Sequence, residues 1–202
     1  MPTLRAFLLR VLIWLPICFA AWYFSSILYT PVLAALSGVM LTSTLSNVFE
    51  RIVADGNQLV ILTHIRVLSE LQGVAAQGEL SFEINPLKYG YGIALYTALL
   101  LATPMADSTK AFNWLLGVTL LTLAQCAGIA AEAIKIVAFQ LGPEATAQLA
   151  FPGWALEALA LSYQVGYLIV PPVLPALIWL WQAREVLATM TGWQAPAQNA
   201  QG

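Results

Sequence analysis

Glu132 and Lys135 stand inside the apolar stretch "QCAGIAAEAIKIVAFQ", close behind Gln125. On a helix the two share a face, so they can neutralise one another. An ionisable side chain in a lipid-spanning segment is costly enough to raise a functional hypothesis by itself. Glu157, near the start of the next apolar run, and Gln164, further along on a similar face, complete a candidate polar cleft of Glu132, Lys135, Glu157 and Gln164. Such a cleft offers acid–base work by the two carboxylates, or passage of a small polar solute. The plainer alternative is a helix pair held by polar contacts, with Ala124, Ala127, Gly128, Ala130 and Ala131 permitting close approach.

Nucleophilic chemistry has poorer material. Cys18 and Cys126 both lie in apolar runs, where burial disfavours the thiolate, and the lone histidine, His64, falls in a β-branched segment expected outside the bilayer. Ser25, Ser26 and Ser162 have no recognisable base. Neither a metal-ligand spacing nor a phosphate loop accompanies these residues, so no metal and no cofactor is expected.

A second constellation is "EINPLKYGYG", residues 83–92. Its Gly90-Tyr91-Gly92 has the composition of a potassium filter, in which carbonyls replace the ion's water. A filter needs a pore helix before it and a linker after it. Here a strand-like segment and Asn85-Pro86 precede, and an apolar run follows at once. The better expectation is a membrane junction: Asn85-Pro86 closes the strand, Lys88 snorkels to the headgroups, and Tyr89, Tyr91 and Tyr96 join an interfacial belt. Gly90 and Gly92 would let another backbone come close.

The elements that must position these residues belong to a membrane protein. The chain of 202 residues is 60% hydrophobic and 9% charged, against roughly 25% charged in soluble domains. The net charge of −2 without a basic run excludes nucleic acid as a partner. Residues 11–29 form a first span behind Arg5 and Arg10. Pro31 opens an amphipathic stretch that lies at the membrane surface, re-enters it or extends the first span. Beyond the turn signal Asp55-Gly56-Asn57, residues 58–68 and 78–86 have the pattern of two strands, with the polar 69–78 as their connection. Further spans are expected at 89–103, 112–139 and 154–181.

The fold class is therefore an all-α membrane protein of about four transmembrane helices. A small extracytoplasmic α/β cap, an amphipathic helix plus a two-stranded β-hairpin, sits between the first and second. Residues 1–30 hold the N-terminal tail and first span, 31–86 the cap, 87–184 three further spans, and 185–202 a cytoplasmic tail too polar to form a core. With Lys110 and Arg184 on the side of Arg5 and Arg10, both termini face the cytoplasm.

At "FEINPLKYGYGIALYTALLLATP" (82–104) and "LRAFLLRVLIWLPICFAAWY" (4–23), the sequence resembles the small membrane proteins associated with exosortase H, from bacteria that sort proteins by a C-terminal signal. The resemblance implies a multi-pass inner-membrane protein encoded beside a sorting transpeptidase. Exosortases themselves resemble cysteine peptidases with Cys, Arg and His on membrane helices. This chain departs from that pattern, since Cys18 and Cys126 lack a Cys-Ser/Thr-Gly setting and no Arg or His lies within a later span. It looks like a companion rather than the enzyme: a non-catalytic accessory or scaffold that docks an exosortase or its sorting-signal substrate through the short second span and the strand pair. The rival classes are a membrane enzyme or small transporter working through Glu132, Lys135 and Glu157, and a self-assembling homo-oligomer.

Overall fold

The computed structural model describes residues 4–71 and 74–191. Along the chain come α1 (Leu4–Thr44), β1 (Phe49–Asp55), β2 (Gln58–Leu71), β3 (Val74–Ile84), α2 (Leu87–Ala102), α3 (Asp107–Phe139), α4 (Pro143–Leu149), α5 (Gly153–Leu168) and α6 (Val170–Thr191). The tip of the expected 69–78 connection, at residues 72 and 73, and most of the expected tail, from residue 192 on, lie outside the described residues.

Two helices, α1 and α3, are long and apolar enough to cross a membrane. A third crossing is available if the bent pair α5–α6 counts as one. α2 has only 16 residues, about 24 Å at the helical rise. α1 runs unbroken for 41 residues, so the first span and the stretch after Pro31 are one helix. Pro31 lies inside this helix and is exposed. The expected continuous run at 154–181 is instead broken by 62° between α5 and α6. Pro171 and Pro172 supply the reason, because each lacks the N–H of an interior helical residue and disfavours helical dihedrals in the residue before it.

The expected two-stranded hairpin is a three-stranded antiparallel sheet in the order β1-β2-β3. Phe49–Asp55 is its first strand, and residues 49–53 of it were expected to continue the amphipathic stretch that opens at Pro31. Outward Arg51, Val53 and Asp55 alternate there with the less exposed Ile52 and Ala54, the period of a strand rather than of a helix. Asp55 pairs with Gln58 across the two-residue loop, and Gly56 holds it at φ 56°, the left-handed region that a glycine enters at least cost. Most of the 69–78 segment extends β2 and β3, with Leu71 opposite Val74. Where the β2–β3 register slips between Leu62 and Arg66, Thr63 is buried and its hydroxyl donates to the Leu80 carbonyl at 2.7 Å.

The chain divides into two compact units. One contains Met1–Phe24, Tyr91–Leu121 and Pro172–Gly202. Its core gathers Phe7, Tyr96, Leu100, Leu121, Ile178 and Trp179, with Phe7 stacked on Trp179 at 5.5 Å between centroids and the Trp179 indole donating to Thr103 Oγ1 at 2.9 Å. Tyr96 is fully buried. Its hydroxyl lies against the Asn113 carbonyl and 2.7 Å from the Gln182 amide oxygen, while Gln182 Nε2 donates to the same carbonyl at 3.2 Å.

The other unit contains Ser25–Gly90 and Thr122–Pro171. Leu41, Val48, Phe49, Ile61, Ile65 and Ile84 form its core with Ala133, Ile136, Val137 and Leu149. The β1–β2 turn is fastened to α1 by Ser26 Oγ donating to Asn57 Oδ1 at 3.0 Å, and the α1–β1 connection to α4 by Asn47 Nδ2 donating to the Gln148 carbonyl at 3.1 Å.

A Cβ placed on Gly117 would overlap the Tyr96 ring. Gly117→Ala is therefore expected to destabilise the protein by about 1–3 kcal/mol through overpacking. The measurement is the thermal unfolding midpoint in mild detergent, and an unchanged midpoint would show that Tyr96 does not need this notch.

Candidate functional site

The junction at residues 83–92 is built from backbone atoms outward. As β3 ends, Asn85 Oδ1 accepts from the Leu87 amide at 2.9 Å, an Asx turn that starts α2. The Pro86 carbonyl then accepts twice, from the Tyr89 amide at 3.1 Å and from Gln125 Nε2 at 3.0 Å, which fills both of its lone pairs. The Gln125 amide lies so close to α2 that a Cβ on Gly90 would overlap it. Its other amide atom, Oε1, is buried without a hydrogen-bond partner among the described residues, at a cost of about 1–3 kcal/mol.

Glu132 is the centre of the site. It is 6% exposed. Lys88 Nζ donates to Oε1, and the Tyr89 hydroxyl donates to Oε2 at 3.0 Å. Both oxygens are therefore engaged by consecutive residues of α2, and the ammonium also lies 5.5 Å from the Tyr89 ring centroid. Taking a carboxylate out of water costs several kcal/mol unless a partner charge and further hydrogen bonds compensate, and this arrangement provides both. Tyr89 can lie flat against α3 because residue 128 is glycine, where a Cβ would come 2.7 Å from Cδ1 of its ring.

An aromatic row extends the site onto α5. Tyr89 meets Tyr167 edge to face at 6.1 Å, Tyr167 stacks on Tyr163 at 5.9 Å, and Lys135 Nζ sits 4.3 Å from the Tyr163 ring centroid. Lys135 is thus held by a π face, and Glu132 is neutralised by Lys88 rather than by Lys135 as the local spacing predicts. Glu157 and Gln164 are exposed on α5, and no hydrogen bond or ion pair joins either of them to Glu132 or Lys135 among the described residues. Of the junction residues, Tyr91 is half-buried and Gly92 buried.

Chemically, this is a hydrogen-bonded polar knot around Glu132. Cys126 is buried beside Tyr89, Leu33 and Ile129, His64 is exposed on β2, and Cys18 packs with Ala94 and Ala98. No group of three or more His, Cys, Asp or Glu side chains capable of holding a metal occurs among the described residues. None of the residues of α2 is fully exposed. Tyr163 and Tyr167 were not foreseen as site residues. Their mutual spacing of four residues, one helical turn, is the sequence signal for them.

The profile of the exosortase H-associated membrane proteins matches residues 1–186. The chain belongs to this family. No curated protein and no solved structure matches it. The match takes in both segments that carried the resemblance and extends it through α6 to Glu185 and Val186. In this exosortase H-associated protein, the family description and the apolar helices agree on membrane association.

Because Glu132 is nearly withdrawn from solvent, removing its partner is expected to cost more than removing its charge. Lys88→Met should destabilise by about 3 kcal/mol, the low end for a broken buried pair, since Lys88 is itself partly exposed. Glu132→Gln should cost less, because the amide still offers Tyr89 an acceptor. The double variant Lys88→Met/Glu132→Leu should recover part of the Lys88→Met loss. Denaturation in detergent measures the three, and a double variant no more stable than Lys88→Met alone would show that the pair is not coupled.

Proposed function

We propose that the protein is a non-catalytic accessory or scaffold of exosortase-dependent protein sorting in the bacterial inner membrane. It crosses the membrane with α1, α2, α3 and the α5–α6 pair, keeps both termini in the cytoplasm, and carries its sheet on the outer side. Its role is to dock an exosortase or the sorting-signal substrate. The family's association with exosortase supports the setting.

The observation that supports the non-catalytic reading is the pairing of Glu132 with the first turn of α2. Both of its oxygens are engaged by Lys88 and Tyr89. A general base must be within reach of the proton it removes, and this carboxylate is spent on holding α2 against α3. Lys135 is likewise occupied by Tyr163. An enzyme or transporter working through Glu132, Lys135 and Glu157 would need these groups turned toward one substrate.

Two measurements test the proposal. In mild detergent, the tagged chain should co-purify with the exosortase of the same cell; a chain that runs without it under those conditions would count against docking. Glu157→Gln should leave sorting of signal-bearing proteins unchanged at equal protein level, and Glu132→Gln should lower sorting only in proportion to any loss of protein. A tenfold or larger drop in sorting by Glu157→Gln with intact protein would overturn the non-catalytic reading.

A further inference from the structure

A row of aromatic rings in the compact unit that holds Glu132 separates two ammoniums which have one carboxylate between them. Lys88 pairs with Glu132 at one end of the row. Tyr89, Tyr167 and Tyr163 follow in ring-to-ring contact, and Lys135 Nζ sits 4.3 Å from the Tyr163 centroid at the other end. All of these residues belong to the same unit.

Glu132 neutralises Lys88, so the positive charge of Lys135 is left over. The carboxylates of α4 and α5, Glu144 and Glu157, are exposed, and among the described residues neither pairs with Lys135. The Tyr163 ring attracts the ammonium without removing its charge. Nor does Lys135 Nζ reach an oxygen acceptor among the described residues. An ammonium on a membrane helix is costly without a partner, and here the chain supplies the cation and its donors but no anion.

The depth and surroundings of Lys135 say which anion fits. α3 is long and apolar enough to cross a membrane, and Lys135 stands four residues before its end at Phe139, about 6 Å along the axis. A lysine stem covers that distance by snorkelling, which brings the ammonium to the level of the lipid headgroups. Phe139, one turn further on, and Leu168, next to Tyr167, are exposed apolar neighbours suited to acyl chains. One cation with free donors and an apolar flank match a phosphodiester that carries one net negative charge. A zwitterionic headgroup brings its own cation, which competes with Lys135 for the phosphate.

We propose that Lys135, seated on the Tyr163 ring between α3 and α5, holds the phosphate oxyanion of one acidic phospholipid. Tyr163 is a positioning residue that fixes the ammonium. The proposal rests on α3 lying in a bilayer and requires no exosortase.

The test is native mass spectrometry of the full chain taken from nanodiscs of equal phosphatidylglycerol and phosphatidylcholine. The wild-type chain should retain phosphatidylglycerol about fivefold over phosphatidylcholine, the preference that one basic side chain at a membrane surface confers. Lys135→Gln should abolish that preference and Lys135→Arg should keep it. Tyr163→Leu should weaken it, and Tyr163→Phe, which keeps the ring, should restore it. Arg51→Gln removes the same charge from the exposed surface of β1 and should leave the preference unchanged.

Equal retention of the two lipids by the wild-type chain overturns the proposal and depends on no variant. A loss in Lys135→Gln no larger than in Arg51→Gln overturns it as well. Inorganic phosphate is the other source of the same oxyanion. A rise in the wild-type unfolding midpoint with inorganic phosphate in phosphatidylcholine, abolished by Lys135→Gln while the lipid preference persists, assigns the site to soluble phosphate and overturns the lipid.

Discussion

A carboxylate withdrawn from water has to be answered by charge and hydrogen bonds, and the start of α2 is arranged around that demand. Glu132 of α3 receives Lys88 on one oxygen and the Tyr89 hydroxyl on the other. These are the first full turn of α2, so satisfying the carboxylate also fixes where α2 begins and which way it faces. The Asx turn at Asn85 and the double use of the Pro86 carbonyl follow from the same position, since they let the chain leave β3 and enter a helix within two residues.

The small residues of α3 serve this arrangement. Gly128 is the notch in which the Tyr89 ring lies, and Gly117 is the notch for Tyr96. The same device thus appears in each unit: a glycine on α3 receives a tyrosine of α2, whose hydroxyl then finds a polar partner, Glu132 in one case and Asn113 with Gln182 in the other. Two of the three tyrosines expected in an interfacial belt, Tyr89 and Tyr96, are buried pegs of α2. Gly90, which looked like part of a filter or a general allowance for close packing, has a narrower cause, since the Gln125 amide occupies the space a side chain would need.

How much of this was legible in the sequence depended on whether the deciding contact was local. The apolar runs, the Asp55-Gly56 turn and the alternation of Leu80, Phe82 and Ile84 against Glu79, Ser81 and Glu83 depend on neighbours a few residues away, and helices or strands occur at each of them. The Lys88–Glu132 pair joins residues 44 apart, while the rule for residues one helical turn apart favoured Lys135, which faces Tyr163 instead. β1 was hidden because its seven residues follow a helix without a strong break, and its alternation shows only once β2 lies beside it. Pro171 and Pro172 were visible, but an apolar run on both sides of them conceals a bend. Pro31, the more conspicuous proline, does not end α1.

The separation of Lys88 from Glu132 also sets an order of events during synthesis. α2, which ends at Ala102, is completed before the carboxylate that holds its first turn has been made, and the 30 residues from there to Glu132 take roughly 2–6 s at ordinary elongation rates. Throughout that interval the 16 residues of α2 carry the Lys88 ammonium without the carboxylate that neutralises it. The first turn of α2 can be fastened only once α3 has been made.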